Sequence, residues 1–456
     1  MINPRDIITA EDAAHIVEER ALRHIKIGVT DLEGVLCGKY VAAEKFLSGL
    51  ESGLGFCDVV LGWDIEDQPI DKLQFTGWHT GFPDAKVRVV PESCREIPFE
   101  ENMLFFLCEF VLPAEELCPR GILRKVIEKC LAAGYKPYAS FEYEFFVFDE
   151  TPDSVREKGY RNMKGLTPGS FGYSVLRATT GAEFFRSLLS MCDQMDMPLE
   201  GLHTETGPGV LEAAITVDEA LAAADKAALF KTFTKALAQR NGLMATFMAK
   251  WSHLQPGQSG HIHVSFKDKE GGSVFYDGSE KQAISKKMRQ FIAGQQALMP
   301  ELLAMVASNV NSYSRLVPGL WAPTNATWGI ENRTCAIRAI PGSPKSQRVE
   351  YRVAASDANP YLALAVALAS GLYGIQSEME PDQPMSGNAY QAECADTRRL
   401  PATLWDAAQR FKASKVAREI FGDLFVDHYA TTREWEEQAF RKHVTDWELE
   451  RYFEII

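Results

Sequence analysis

The sequence has no apolar run long enough to cross a membrane. A spanning helix needs about 20 consecutive apolar residues, and the longest apolar stretch here, residues 361–375, is interrupted by Ser370, Gly371 and Gly374. The stretch therefore predicts a buried helix of a globular core. The first 20 residues carry acids throughout and lack the apolar segment of a secretory signal, so we expect no signal peptide.

The sequence is also poor in positive charge and in paired cysteines. Lys and Arg number 48 against 62 Asp and Glu, which gives a net charge of −14. A nucleic acid needs a basic face on its protein partner, so this balance argues against one. The nine cysteines are odd in number and scattered, without a CxxC pair. This usage predicts a reduced, cytoplasmic protein without a disulfide framework or a zinc site.

The remaining composition is that of a soluble globular protein, with 46% hydrophobic and 24% charged residues over 456 positions. This length favours two or three domains. The pattern predicts a helix over 11–24, a hairpin over 25–46 and short strands as far as Leu112, followed by a polar, proline-bearing linker. We place a domain boundary in this linker, between residues 1–116 and 117–456.

Positive charge is concentrated in one segment of this acidic chain, residues 315–352. Arginine binds carboxylates and phosphates through two parallel hydrogen bonds, so the cluster indicates a pocket for an anionic small molecule. The alternative is a solvated basic loop, but the prolines and tryptophans of the segment favour an ordered one. Its basic residues are Arg315, Arg333, Arg338, Lys345, Arg348 and Arg352.

Three predicted strands repeat functional side chains at every second position, which puts them on one face of each strand. Two carboxylates side by side repel each other unless a cation lies between them. One such pair is common on a polar edge, but chance explains the whole set poorly. Oxygen ligands with a single imidazole suit Mg²⁺ or Mn²⁺ better than zinc. The strands contribute Glu142 with Glu144, His261 with His263, and Arg348 with Glu350 and Arg352; Glu205 and Glu212 flank a Gly-Pro-Gly turn.

Taken together and in order, these motifs resemble the glutamine synthetase family of the class I type. The resemblance extends over nearly the whole chain. It rests on the segments FEYEFFVFD, HTETGPGVLE, SGHIHVSF, NSYSRLVPG, ENRTCAIR and RVEYRVAASDANPYLALA.

The family resemblance implies an α+β fold, with an N-terminal β-grasp domain and a catalytic domain whose antiparallel strands form a half-barrel around two divalent metals. It also implies a dodecamer of two stacked hexameric rings, with each active site between neighbouring subunits. ATP and glutamate are the substrates that it implies, and Mg²⁺ or Mn²⁺ the cofactors.

The resemblance also implies roles for individual residues. One metal would be held by Glu144, Glu205 and Glu212, and the second by Glu142, His261 and Glu350. The nucleotide phosphates would contact His263, Ser265, Lys345 and Arg348, and Arg338 would act on the transferred phosphoryl group. The glutamate site would comprise Gly257, Arg315, Arg333 and Arg352.

The sequence departs from the family at the place where the amine binds. Family members that use ammonia carry a glutamate in the flap, which binds ammonium and removes its proton, but this chain has Trp321 there. Tryptophan accepts no proton, although its ring face attracts cations by about 0.5–2 kcal/mol. The substitution indicates a larger amine, the alternative being that Trp321 only packs the flap. An N-terminal aspartate of the family is matched only loosely by Asp64, and Pro256 replaces an asparagine beside Gly257.

The sequence is therefore most similar to the γ-glutamylpolyamine synthetase branch, also called glutamate–putrescine ligases. The expected reaction joins glutamate to putrescine or another organic amine through γ-glutamyl phosphate. Two alternatives stay open: an ammonia-dependent glutamine synthetase and a non-catalytic structural relative.

Overall fold

The computed structural model describes residues 2–319, 321–391 and 394–456. Its N-terminal part is built on a six-stranded sheet in the order β2-β1-β6-β4-β3, with β5 paired to β6. The predicted hairpin is confirmed as β1 and β2, which pair antiparallel, whereas β1 and β6 run parallel. These elements are α1 Ala10–Glu19, β1 His24–Thr30, β2 Leu36–Ala42, α2 Ala43–Ser52, β3 Leu54–Cys57, β4 Asp84–Val89, β5 Arg95–Glu96 and β6 Leu104–Phe110.

The first helix is shorter than the sequence predicted. It was expected over 11–24 but ends at Glu19, because Ala21 adopts a left-handed backbone with φ 48°. The N–H of Leu22 then bonds back to the carbonyl of Val17, which closes the helix end. Leu22 still reaches the core, so its apolar character was correctly identified and only its helical position was wrong.

A second, nine-stranded sheet forms the larger part of the chain. Its order is β13-β14-β15-β12-β7-β9-β8, and β10 and β11 pair with β7. All pairings within it are antiparallel except that of β13 with β14. This sheet confirms the predicted half-barrel. Its strands are β7 Lys136–Phe148, β8 Leu199–Thr204, β9 Val210–Ile215, β10 Asp218–Glu219, β11 Met244–Thr246, β12 Gly260–Lys267, β13 Trp328–Ile330, β14 Ile337–Ile340 and β15 Arg348–Tyr351.

Helices surround the second sheet. Within the described ranges, no helix is long and apolar enough to span a membrane. The predicted domain boundary at 116/117 falls between β6 and α3 and stays a prediction. The helices are α3 Pro119–Ala132, α4 Pro152–Glu157, α5 Val175–Thr180, α6 Ala182–Gln194, α7 Ala220–Arg240, α8 Lys286–Leu302, α9 Val310–Arg315, α10 Pro360–Gln376, α11 Leu404–Ala413, α12 Lys415–Phe421, α13 Asp423–Phe440 and α14 Asp446–Tyr452.

The apolar segment 361–375 is confirmed as a buried helix, α10, which crosses α8 with the two backbones in contact. A Cβ on Gly294 of α8 would lie 2.1 Å from the carbonyl oxygen of Ser370, and one on Gly374 would lie 2.1 Å from that of Gln290. Only glycine fits at this crossing. At its start, α10 is capped by Asn359, whose side-chain amide donates to the carbonyls of Asp31 and Leu32 in the β1–β2 turn.

A buried network of charges joins β6 to the helices behind the second sheet. Glu109 of β6 is fully buried and receives hydrogen bonds from Arg120 and from Nε of Arg124 at 3.0 Å. Arg120 also forms two parallel hydrogen bonds with Asp225 of α7, of 2.9 and 3.0 Å. Tyr361 of α10 donates to the same carboxylate at 2.8 Å. Each buried acid here therefore faces a guanidinium.

Candidate active site

A cavity of about 910 Å³ opens on the second sheet. Every predicted site residue except Asp64 lies on its wall, although these residues are spread over more than 200 positions of the chain. The wall therefore combines the predicted acidic, basic and histidine groups in one place. They are Glu142, Glu144, Glu205, Glu212, Gly257, His261, His263, Ser265, Arg315, Trp321, Arg333, Arg338, Lys345, Arg348, Glu350 and Arg352.

Strand register explains how these residues meet. Residues directly opposite each other on paired strands have their side chains on the same face. One row across the sheet joins Arg338, Glu350 and His263. The next row pairs His261 with Glu142, and a third pairs Glu144 with Glu212. The alternation of side chains along each strand then places all three rows on the cavity side.

The first acidic cluster consists of Glu144, Glu205 and Glu212, whose ligand atoms lie within 4.8 Å of one another. Burial, with the neighbouring Glu212 carboxylate, raises the pKa of Glu144 to about 8. Burial also raises the pKa of Glu212. Glu144 accepts a hydrogen bond from the N–H of Ser259 at 2.6 Å, and Nε2 of His203 lies 3.3 Å from Glu212. One backbone N–H and one imidazole do not balance the negative charge of three carboxylates.

The second cluster contains Glu142, Glu350 and both histidines of β12. Ligand atoms of Glu142, His263 and Glu350 lie within 4.8 Å of one another. Nδ1 of His261 lies 3.4 Å from Glu142 and 3.5 Å from Glu350. Burial, with the Arg352 charge, lowers the pKa of His261 to about 4, which keeps this imidazole neutral. The geometry brings both histidines to the cluster, and the choice of His261 as the ligand stays a prediction.

The donor set fits two divalent cations. Nδ1 of His261 is the ring nitrogen that faces the Glu142 and Glu350 carboxylates, and a neutral imidazole with its proton on Nε2 offers the Nδ1 lone pair to a cation there. The three carboxylates of the first cluster repel one another without a cation between them. Carboxylate oxygens with one imidazole suit Mg²⁺ or Mn²⁺.

Arg338 and Arg352 both contact the Glu350 carboxylate. Arg338 donates to Glu350 at 3.0 Å and to Glu331 at 3.0 Å, and Arg352 donates to the other oxygen of Glu350. Burial alone would raise the pKa of Glu350, but the Arg352 charge and His261 outweigh it and lower the pKa to about 2. Glu350 therefore stays ionised between two guanidiniums.

Arg315 lies beneath the cavity rather than at its mouth. Only 1% of the residue is exposed, and burial lowers its pKa to about 10. It donates to the carbonyl of Val353 at 2.9 Å and to the hydroxyl of Ser259 at 2.8 Å. A Cβ on Gly257 would lie 2.7 Å from its Cγ, so Arg315 packs directly against the Gly257 backbone.

The residues predicted for the nucleotide also line the cavity. Nε of Arg348 donates to Nδ1 of His263 at 3.1 Å, which ties the end of β15 to β12. The sequence did not reveal Tyr138, Glu200 and Val217, which line the same cavity. Tyr138 had a detectable signal, because positions 138 and 140 continue the every-second-residue pattern of Glu142 and Glu144 along β7. The other two had none.

The flap residue Trp321 lines the cavity and is 66% exposed. Its backbone is left-handed, with φ 59°, just after Gly319 with φ 83°. A bulky residue rarely adopts this conformation. The indole therefore stands at the cavity wall at the position where the family resemblance implies a carboxylate.

Asp64 does not line the cavity of its own chain. One carboxylate oxygen accepts the N–H groups of Glu66 and Gln68, at 2.9 and 3.0 Å, and the other accepts the indole N–H of Trp435 at 3.0 Å. Asp64 thus closes its own loop and joins it to α13. Its predicted contact with a neighbouring subunit stays a prediction.

Comparisons with known proteins agree with this geometry. Residues 116–452 match the model of the family described as "Glutamine synthetase, catalytic domain". The chain is 44% identical to "Type-1 glutamine synthetase 2" of Dictyostelium discoideum over 95% of its own length and 84% of that protein. It is 37% identical to "Glutamate--isopropylamine ligase" of a Pseudomonas species over 100% and 99% of the two chains.

The fold is similar to that of a solved structure described as "Apo GmaS without ligand". The TM-score is 0.83 at 26% sequence identity, over 97% of this chain and 99% of the other. The likeness extends to the full α+β architecture, including the N-terminal sheet. Family model, full-length relatives and fold agree, and the chain belongs to the glutamine synthetase family of ATP-dependent glutamate ligases.

Proposed function

We propose that the protein joins the γ-carboxylate of glutamate to an organic amine, such as putrescine or a monoamine, at the expense of ATP. The observation that carries this proposal is Trp321, an exposed indole on the cavity wall at the position where the family resemblance implies a carboxylate for ammonia-using members. The 37% identity with a relative named for isopropylamine supports the same reading.

In the first step, an oxygen of the glutamate γ-carboxylate attacks the γ-phosphorus of ATP, and ADP leaves. Bound Mg²⁺ or Mn²⁺ would neutralise the phosphate oxygens. Arg338 stabilises the charge of the phosphoryl group in flight, while Arg315, Arg333, Arg352 and the backbone at Gly257 hold glutamate. The residues proposed for the nucleotide are His263, Ser265, Lys345 and Arg348.

In the second step, the amine nitrogen attacks the carbonyl carbon of γ-glutamyl phosphate. The C–N bond forms, the C–O bond to phosphate breaks, and the proton that the amine loses leaves on inorganic phosphate. Trp321 contributes an apolar surface and a ring face to the amine, and its presence means that this position offers no carboxylate.

We further propose that the domains divide at 116/117, that Asp64 serves a neighbouring subunit, and that the protein is a cytoplasmic dodecamer.

The metal ligands that we propose follow the two clusters of the cavity. One ion would bind Glu144, Glu205 and Glu212, and the other Glu142, His261 and Glu350. Substitution of His261 and His263 in turn by alanine, with manganese binding as the readout, separates the two imidazoles. If only the His263 variant lost manganese binding, His263 would be the metal ligand in place of His261.

The decisive experiment measures phosphate release from ATP with glutamate, Mg²⁺ and a panel of second substrates: ammonium, methylamine, isopropylamine, ethanolamine and putrescine. We expect a clear preference for one organic amine. Turnover with ammonium alone would overturn the proposal. Trp321→Glu should then shift the preference toward ammonium, whereas Trp321→Phe, which keeps an aromatic ring, should not.

The second candidate is an ammonia-dependent glutamine synthetase. It is favoured by the 44% identity with a relative that carries that name. The same panel separates the two candidates, because an ammonia enzyme should lose most of its activity with each of the alkylated amines. A related structural protein would release no phosphate with any second substrate.

A further inference from the structure

Asp357 lies between strand β15 and helix α10 and joins two segments that are far apart in the chain. Its Oδ2 atom accepts the backbone N–H of Ala249 at 3.2 Å and the side-chain amide of Asn309 at 3.0 Å. One carboxylate oxygen thus holds a loop and a helix start together.

Each of these two segments presents a group proposed to bind glutamate. Asn309 caps α9, and the last residue of this helix is Arg315. The carbonyl of Ala249 accepts the N–H of Gln258 at 2.8 Å, which closes the loop that carries Gly257. Asp357 therefore binds both the start of the Gly257 loop and the start of the Arg315 helix.

A second contact keeps the two segments in fixed register. Asn311 of α9 accepts the N–H of Lys250 at 2.8 Å and donates to its carbonyl at 2.7 Å. Arg315 packs against Gly257 because glycine has no side chain in the way. A small displacement of the loop or of the helix therefore changes the surface that Gly257 and Arg315 form in the cavity. Positions of binding groups must be held to about 0.5 Å for full activity.

The other oxygen of Asp357, Oδ1, is buried and has no hydrogen-bond partner among the described residues. An unpaired buried carboxylate oxygen destabilises a fold. Asparagine at this position would carry no charge, so packing alone does not account for the aspartate. The negative charge strengthens both hydrogen bonds that Oδ2 accepts.

We propose that Asp357 is a positioning residue of the glutamate subsite: it holds the Gly257 loop and the Arg315 helix in the register that binds glutamate. The identity of the ligand as glutamate rests on the proposed function, whereas the claim that Asp357 holds the loop and the helix together does not. It also predicts that nucleotide binding is unaffected, because within the described ranges Asp357 forms no hydrogen bond or ion pair with a residue proposed to bind the nucleotide.

The kinetic test compares Asp357→Ala, Asp357→Asn and a control, Asp268→Asn. Asp268 also accepts backbone N–H groups, those of Glu270 and Gly272, but in a turn beyond β12. We expect Asp357→Ala to raise KM for glutamate about ten- to a hundredfold with KM for ATP within about twofold. Asp357→Asn, which keeps an acceptor oxygen, should show a smaller rise, and the control none. Equal rises in both KM values would overturn the proposal.

Hydrogen exchange tests the positioning without reference to catalysis. In Asp357→Ala, exchange should increase in peptides covering 249–258 and 309–315 and stay unchanged in the N-terminal sheet. Asn309→Ala should increase exchange mainly in 309–315, because it removes the bond to Asp357 and the cap on Ser312 but keeps the bond from Ala249 to Asp357. Unchanged exchange in both segments would refute the positioning role. Absence of glutamate-dependent ADP formation by the unaltered protein would instead refute the proposed function.

Discussion

Two buried clusters of acidic residues in this protein have opposite surroundings. Behind the sheet, Glu109 and Asp225 face the guanidiniums of Arg120 and Arg124. Burial alone would raise the pKa of Glu109, but the arginine charges hold it below the ordinary value. On the cavity side, Glu144 faces Glu212, and burial raises its pKa to about 8.

The difference distinguishes acidic residues that stabilise the fold from acidic residues that are arranged to bind a ligand. A buried acid with matched arginines is satisfied within the chain, and its removal leaves a buried cation unpaired. A buried acid beside other acids is satisfied only when a cation binds, so its removal relieves repulsion in the free protein. Strongly raised carboxyl pKa values in a cleft are thus evidence of a functional site.

The largest effects on stability and activity are expected when one acidic residue of each cluster is substituted in a separate variant. Glu109→Ala should cost about 3–5 kcal/mol in the free energy of unfolding, because it removes a fully buried carboxylate shared by Arg120 and Arg124. Arg120 then keeps Asp225 as its partner, and Arg124 keeps the more exposed Glu115 and Glu128. Glu144→Gln should leave the stability of the metal-free protein unchanged or higher, yet reduce activity by at least about a hundredfold. Urea unfolding and phosphate release measure the two quantities. A similar loss of stability in both variants would remove the distinction.

Metal binding should act on the cavity cluster alone. At an Mg²⁺ or Mn²⁺ concentration about a thousandfold above Kd, the unaltered protein should gain about 4 kcal/mol of stability, and excess EDTA should abolish the gain. Glu212→Gln should lose most of this gain, whereas the control Asp268→Asn should keep it. A melting temperature that EDTA leaves unchanged would contradict the metal assignment.

Asp31 is a buried acid that belongs to neither cluster, and it predicts a dependence of stability on pH. Burial, with the nearby Glu33 charge, raises its pKa to about 7. Its unfolded pKa lies near 4, so folding favours the protonated form. The stabilisation is complete below about pH 4 and is lost as pH rises through 7.

Stability should accordingly fall by about 1.4 kcal/mol per pH unit well below pH 7 and by about 1.6 kcal/mol in total between pH 5.5 and 7. Asp31→Asn should remove this slope when both variants are measured with saturating metal, which suppresses titration of the cavity acids. An identical slope in the two proteins would assign the dependence to other groups.

The smallest effect is expected for an exposed ion pair. Arg161 contacts Asp446 at the start of α14, with side chains 67% and 57% exposed. Solvent screens such a pair, so Arg161→Ala should change the free energy of unfolding by less than about 1 kcal/mol. A larger loss in thermal unfolding would mean that α14 contributes to stability in a way the isolated pair does not explain.

The residues at the cavity wall were singled out partly by local patterns and partly by the family resemblance, and the structure places them in one cavity. Glu142 and Glu144 share a strand face through two-residue alternation, and the same holds for His261 and His263. What the pattern did not contain was register: the alignment of His263 with Glu350, which brings a second imidazole to the Glu142–Glu350 cluster, depends on how β12 pairs with β15. Register is set by contacts along whole strands, and single motifs do not reveal it.

The matched cluster was invisible in the sequence for a related reason. Glu109 and Arg120 are 11 residues apart, and Asp225 is 105 residues beyond Arg120. Isolated charged residues on a predicted strand and two helices are ordinarily exposed, so nothing marked them as partners. The end of α1 was missed because a left-handed alanine leaves no compositional trace.

The glycine contact between α8 and α10 acts over a distance. Helix α10 starts beside Asp357, where its cap also holds the β1–β2 turn, and about 22 Å further on, at 1.5 Å per residue, Gly374 lies against α8. Since a helix of this length moves as a rigid rod, one methyl group at Gly374 would tilt the far end. The position of the loop that carries Asp357 and of the β1–β2 turn should therefore depend on a helix contact about 22 Å away along α10.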